Sequence, residues 1–150
     1  MPDDAGGVHA MPDRVCFQMM SDPDSVRATL REAMETGPVA RLSVEDRSTA
    51  EIVLAEVLNN IVEHAYADGP GSIRLCLSLS AGRLNCRIED EGRPMPGGQP
   101  PAGRAPDPAD LPEGGFGWHL IRSLSQGLTY VRTGQINQLT FSLPAEQSLV

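Results

Sequence analysis

Apolar residues recur along this chain with two different periods, and the switches between them mark out the elements. RVCFQMM (14–20) has the character of a first strand. SDPDSVRATLREAMETG (21–37) follows with Val26, Leu30 and Met34 four residues apart, one face of a helix. Ser21 or Asp22 can cap it, Pro23 suits its first turn, and Gly37 ends it. SVEDRSTAEIVLAEVLNNIVEHAYADG (43–69) is the longest helical pattern. Ser43 with Asp46 approximates a capping box, and Gly69-Pro70 stops the helix.

The period then falls to two. In SIRLCLSLSAGRLNCRIEDEG (72–92), a turn at Ala81-Gly82 sets Leu79 against Leu84, Leu77 against Cys86 and Leu75 against Ile88 on one sheet face. Asp90 shares that parity and stands on the core-facing side where the strand runs out. Cys76 and Cys86 point to opposite faces, which argues against a disulfide between them. Further on, GGFGWHLIRSLSQG (114–127) reads as a glycine turn entering a short helix, with Leu120 and Leu124 inward. LTYVRTGQINQLTFSLP (128–144) reads as a second hairpin, its turn at Gly134-Gln135 pairing Tyr130 with Leu139 and Leu128 with Phe141.

Between the hairpins, residues 93–113 (RPMPGGQPPAGRAPDPADLPE) hold seven of the 13 prolines and three glycines, so no regular element fits there. A loop of that length inside a compact domain is uncommon, and is usually a functional lid or disordered. Two hairpins with three helical stretches predict a two-layer α/β sandwich, a mixed, largely antiparallel sheet covered on one face by helices. The strand–helix alternation of a Rossmann fold is missing. The domain expected is 14–150, with 1–13 as a flexible tail.

Composition narrows the function classes. The 150 residues suit one domain. The net charge is −8, all 12 basic residues are Arg, and no basic run occurs, which argues against direct nucleic-acid binding. No apolar run approaches the roughly 20 residues that span a bilayer, and the N-terminus lacks a signal-peptide pattern. Cys16, Cys76 and Cys86 lack metal-ligand spacing. Read as small core or strand residues, and odd in number, they point to a reducing, cytoplasmic setting.

Three stretches carry candidate chemistry. In EVLNNIVEHAY (56–66), Leu58, Ile61, Val62 and Ala65 take one side of the helix while Glu56, Asn60 and His64 stack on the other, flanked by Asn59 and Glu63. Alone, such a stripe is more often a solvated face. In a site, an amide oxygen is a hard ligand for magnesium, and a carboxylate one turn away can orient or deprotonate a nucleophile. In EDEGRPMP (89–96), Asp90 at a strand end can accept a hydrogen bond from an exocyclic amine such as that of adenine, and Gly92 allows a flat ring close to the backbone. Alone, Asp-x-Gly is an ordinary turn. In GGFGWHL (114–120), Gly115 and Gly117 precede a helix whose free N–H groups can hold phosphate oxygens. There is no Walker lysine, which excludes a P-loop.

In this order, E-x-x-x-N, D-x-G and G-x-G opening a helix resemble the N, G1 and G2 boxes of the ATP-binding fold shared by gyrase B, MutL and sensor histidine kinases, the GHKL superfamily. Glu56, Asn60, His64 and Tyr66 match the N box of its RsbW-like branch, the anti-sigma factor serine/threonine kinases. GGFGWHLIRSL is similar to that branch's G2 box. Pro94 and Trp118 depart from the common pattern, and the lid is unusually proline-rich.

The resemblance implies ATP and Mg²⁺ as cofactors. Glu56 would be the general base, Asn60 the Mg²⁺ ligand and Asp90 the adenine reader, with Gly92 beside the ring. Gly115 and Gly117 would cradle phosphates, His64 would join the nucleotide site, and residues 93–113 would form the ATP lid. It also implies a small anti-sigma-factor antagonist as substrate, a sigma factor as second partner, and a homodimer. Two alternatives stay open: a non-catalytic, ATP-gated binding module, and a detached histidine-kinase ATPase domain.

Overall fold

The computed structural model describes residues 13–102 and 116–146. The elements run β1 (Arg14–Met20), α1 (Pro23–Glu35), α2 (Val44–Asn60), β2 (Ser72–Ser80), β3 (Arg83–Asp90), α3 (Phe116–Leu124), β4 (Gln126–Thr133) and β5 (Ile136–Pro144). Short 3₁₀ turns lie at Val39–Arg41 and Pro96–Gly98, and one π-helical turn, Ile61–Ala65, extends α2. All four strand pairings are antiparallel, and the sheet order is β1-β2-β3-β5-β4. The predicted two-layer sandwich is what forms, without the parallel pairing that a mixed sheet allowed.

Local chemistry sets the helix ends. Asp22 caps α1 by accepting from the Ser25 amide at 2.7 Å, with Pro23 in the first turn. Its neighbour Ser21 serves elsewhere: its amide donates to the Gly71 carbonyl, and its hydroxyl accepts from the Gly71 amide at 2.9 Å. Ser43 caps α2 by accepting from the Asp46 amide at 3.1 Å. The capping box stays half closed, because the Asp46 carboxylate accepts from the Glu146 amide at 2.6 Å instead of reaching back to Ser43. Each such cap is worth about 1 kcal/mol.

One core holds the layers together. Leu75, Leu77, Leu84, Cys86 and Ile88 from the first hairpin are almost fully buried, as are Leu139, Phe141 and Leu143 from β5. They meet Val26 and Leu30 of α1, Val53, Leu54, Val57 and Leu58 of α2, and Trp118 and Ile121 of α3. Burying each large aliphatic side chain stabilises the fold by about 1.5–3 kcal/mol relative to exposure. The first hairpin has the predicted register, Leu79↔Leu84, Leu77↔Cys86 and Leu75↔Ile88. Its turn residues Ala81 and Gly82 both have positive φ, as a two-residue hairpin turn requires.

Four expectations need correction. Leu128 does not face Phe141 in the ladder: Gln126 pairs with Ser142 and Thr129 with Thr140, so β4 carries one extra residue, next to Gly127 at φ +68°. Such a bulge is what a positive-φ glycine permits. On α3 the buried residues are Trp118 and Ile121; Leu124 packs partly buried against the core as expected, and Leu120 is only half-buried. The long helix leaves α-geometry at Ile61, so His64 no longer stacks in line with Glu56 and Asn60. Finally, Cys16 and Cys76 are bonded, because they face each other in the β1–β2 register. Cys86 is the buried free thiol, its pKa pushed up by burial, so Cys76 and Cys86 are indeed unpaired with each other. The bridge removes the cysteine argument for a reducing compartment. No helix among the described residues is long and apolar enough to cross a membrane.

The N-terminal tail (1–12) and most of the predicted lid (103–113) lie outside the described residues. The lid's first part is held by Arg122 of α3, whose guanidinium donates to the Pro100 and Pro101 carbonyls at 2.7 and 2.8 Å.

Candidate functional site

A cavity of about 470 Å³ opens between the C-terminal half of α2, the end of β3 and the start of α3. Its lining includes Asn60, Ile61, His64, Asp90, Met95 and Trp118, with Asn137 and Leu139 of β5 behind them. Its size and largely apolar walls with a few fixed polar groups suit a flat heterocycle.

At the deep end stands Asp90, 7% exposed. Its Oδ1 accepts from the Gly92 amide and from Asn137 Nδ2, both at 2.8 Å. Neither bond uses Oδ2. Burial raises the Asp90 pKa above the ordinary carboxylate value, opposed by these two donors and by the Arg132 charge. Asn137 is itself fully committed. Its amide N–H groups also reach the carbonyls of Gly92 (3.2 Å) and Arg93 (3.0 Å), and its Oδ1 accepts from Arg132 at 2.8 Å and from the Tyr130 hydroxyl. The Tyr130 hydroxyl also accepts from the Met95 amide at 3.0 Å. This network fixes the carboxylate and the first residues of the lid together.

Sequence reading missed Asn137, Tyr130 and Arg132. Asn137 carries a usable signal: it shares parity with Leu139 and Phe141, so a polar amide was due on the core side of β5. Only the register Asp90↔Asn137 explains what it is there for.

Gly92 is required by space. A Cβ there would stand 2.4 Å from the Ala65 carbonyl oxygen, the acceptor for the Arg93 amide at 2.8 Å. Both are backbone atoms and cannot swing aside. Gly92→Ala is therefore expected to cost about 1–3 kcal/mol in chemical denaturation, with nucleotide affinity falling alongside.

The π-helical turn explains why Ala65 lies so close. Such turns widen the helix by one residue and concentrate at functional sites. Tyr66 closes the turn: its hydroxyl donates to the Ser72 carbonyl and accepts from the Glu91 amide, both at 2.7 Å. One side chain thus ties the end of α2 to the start of β2 and the end of β3. A Cβ on Gly71 would overlap its ring.

At the other end, Glu56 and Asn60 lie against α3. A Cβ on Gly117 would be 2.8 Å from Glu56 Oε2 and 3.6 Å from Asn60 Nδ2. The polar stripe is thus a lateral face, with Glu56 and Asn60 partly buried beside Gly117 in the first turn of α3. Asn60 Nδ2 donates to the Glu56 carbonyl at 2.8 Å, which leaves Oδ1 as the free end of the amide. That hard oxygen is a fit for magnesium, which binds through one or two protein oxygens and takes its remaining ligands from phosphates and water.

His64 is exposed on the cavity rim, and its carbonyl accepts from Arg93 at 3.4 Å. Gly115 lies outside the described residues. Asp90, Asn60 and His64 line one cavity, with Gly92 behind Asp90 and Glu56 and Gly117 at its α3 end. Trp118, which departs from the usual pattern, is 7% exposed and forms part of the wall.

Comparison with known proteins identifies the family. Residues 19–143 match the family described as the histidine kinase-like ATPase domain. The chain is 35% identical over 106 residues to the serine/threonine-protein kinase BtrW of Bordetella bronchiseptica, covering 68% of this chain and 73% of that one. It is 28% identical over 125 residues to the serine-protein kinase RsbW of Halalkalibacterium halodurans, covering 68% and 72%. It is 30% identical to the blue-light-activated histidine kinase 2 of Erythrobacter litoralis, but spans only 31% of that protein. The fold resembles the crystal structure of the RsbU and RsbW domains of Rv1364c from Mycobacterium tuberculosis, with TM-score 0.54 and 17% identity over 90% of this chain and 34% of that one. The chain belongs to the histidine kinase-like ATPase family, in its RsbW-like branch of serine/threonine protein kinases.

Proposed function

We propose that the protein is an anti-sigma factor kinase, one that transfers the γ-phosphoryl group of Mg-ATP to a Ser or Thr hydroxyl of a small antagonist protein and holds a sigma factor inactive. The observation that carries this reading is the placing of Glu56 and Asn60 together against the start of α3, at the opposite end of one cavity from the buried Asp90. Adenine enters the apolar end, where Asp90 Oδ2 accepts from its amino group. The triphosphate then runs toward α3, whose first-turn amides have no intrahelical partner and, with the dipole, favour anionic oxygens. Asn60 Oδ1 holds Mg²⁺, which neutralises charge on the phosphates. Glu56 takes the proton from the attacking hydroxyl. Phosphoryl transfer needs mainly this positioning and charge neutralisation.

Residues 93–113 serve as the ATP lid, anchored through Met95 and the Arg122 contacts. The protein works in the cytoplasm, where sigma factors act, as a homodimer. Similarity to a blue-light-activated histidine kinase favours, as the alternative, transfer to histidine, and phosphate chemistry separates the two. Incubation with radiolabelled ATP, magnesium and a candidate antagonist is expected to label the antagonist on Ser or Thr, stably to acid, and chelation by EDTA should abolish labelling. Acid-labile label would instead mark a phosphohistidine and sink the proposal.

A further inference from the structure

The helices cover one face of the sheet only, and the other face has a distinct charge. Its outward positions carry Arg14, Arg74, Arg83 and Arg87, with Glu89 as the opposing acid. The remaining outward side chains are uncharged, mostly Ser, Thr, Asn and Gln. The whole chain, by contrast, has 12 Arg against 20 Asp and Glu. Positive charge is thus concentrated on a face that the nucleotide cavity does not use.

The arginines are poorly neutralised where they stand. Among the described residues, Arg14 and Arg74 form no ion pair. Arg83 is held by Ser142 alone, donating to its hydroxyl at 3.1 Å and its carbonyl at 3.2 Å. Arg87 Nε is buried with no hydrogen-bond partner, 4.0 Å from the Glu89 carboxylate. The face is also concave. A depression of about 380 Å³ lies over β2, β3 and β5, with Arg14, Asn85 and Arg87 among its walls and Gly127 of the β4 bulge at its rim.

We propose that this face docks an acidic segment of a partner protein. Guanidinium groups offer paired donors to carboxylates, and the surrounding Ser, Thr and Asn side chains offer neutral ones. Arg83 and Arg87 are four residues apart on one strand, about 13 Å at 3.3 Å per residue, so the charges are spread to meet separate side chains. A nucleic acid fits less well. Its long run of phosphates would extend more than a Debye length, about 8–10 Å, onto the acidic remainder of the molecule, whereas a short acidic segment stays within the basic patch. A second copy of the chain fits less well too, since apposing the two faces would bring arginine against arginine.

The proposal stands independently of the nucleotide reading, and its test needs no ATP. Binding of a fluorescein-labelled ten-residue glutamate peptide would be followed by fluorescence anisotropy at low and physiological ionic strength. Wild-type protein should bind with an affinity that falls with salt. The double substitution Arg14→Glu with Arg87→Glu should weaken binding by about tenfold or more at low salt. Arg87→Lys should retain most of the binding, and Arg47→Glu on the exposed side of α2 should leave it unchanged. Circular dichroism melting confirms that each variant is folded; Arg74→Glu alone serves if the double variant is not. Equal binding by wild type and the charge-reversed variant would overturn the proposal, as would no binding at all. So would tighter binding of a single-stranded oligonucleotide, or a change of oligomeric state by the reversals in sedimentation.

Discussion

Glu56→Gln is expected to reduce phosphoryl transfer by about 10²–10⁴-fold while leaving ATP affinity within about twofold of wild type. The substitution keeps the shape and removes the basic oxygen. Glu56 lies against Gly117 at the α3 end, away from the Asp90 pocket proposed for adenine, so in the proposed mechanism it would act on the chemical step and little on nucleotide binding. Its backbone carbonyl still accepts from Asn60 Nδ2, so the proposed metal-binding oxygen keeps its orientation. The measurement pairs calorimetric ATP binding with transfer to a candidate antagonist. Full transfer by the variant would move the base elsewhere. Unchanged control of a protein partner by the variant, with no transfer from wild type either, would establish the non-catalytic, ATP-gated reading.

Asp90→Asn is the second large effect, and it falls on binding. An ATP dissociation constant raised by about 10–150-fold is expected, the cost of losing a charge-assisted hydrogen bond of roughly 1.5–3 kcal/mol. The Gly92 amide and Asn137 Nδ2 both donate to Oδ1, so the substituted side chain keeps its oxygen there and turns its NH₂ into the cavity. That donor would oppose the adenine amino group. It would suit the carbonyl of hypoxanthine, so the discrimination between ATP and ITP should shrink or reverse.

The fold should not suffer. Burial raises the Asp90 pKa, so near neutral pH the folded state carries a carboxylate it holds less readily than the unfolded chain does. This contribution lowers stability as pH rises through the window between the ordinary and the raised pKa. Removing the charge should leave thermal stability at neutral pH unchanged or higher. For wild type, ATP affinity should decline on acidification as this carboxyl takes up a proton, starting at a pH above the usual carboxylate range; the Asn variant should lack that step. Loss of folding in the variant, or ATP affinity equal to wild type, would contradict the role given to Asp90.

Much of the site was legible because its parts are local. Glu56 and Asn60 are one helical turn apart, so any helix through 56–60 sets them side by side. Asp90 declares itself by parity, as a charged residue on the apolar face of a strand. Gly92 follows β3, and Gly117 lies inside the first turn of α3, which starts earlier than the sequence had put it; neither glycine has a local reason, and the space around them supplies one: a carbonyl of Ala65 for the first, the Glu56 carboxylate for the second. What stayed hidden depends on partners distant in sequence. Asn137 lies 47 residues from Asp90, and Tyr66 lies 25 from Glu91. Cys16 and Cys76, 60 residues apart, meet only because β1 pairs with β2 in one register.

By itself, then, the chain's pattern of apolar and polar residues determined the elements, both hairpin turns and the helix N-caps. These follow from steric and hydrogen-bonding preferences acting within a few residues. Tertiary structure decided the sheet order, the inward turn of Trp118, the π-helical turn that brings Ala65 against Gly92, the network behind Asp90 and the basic outer face. Each is settled by which surfaces exclude water against one another, and that choice belongs to the whole chain, with no short segment encoding it alone.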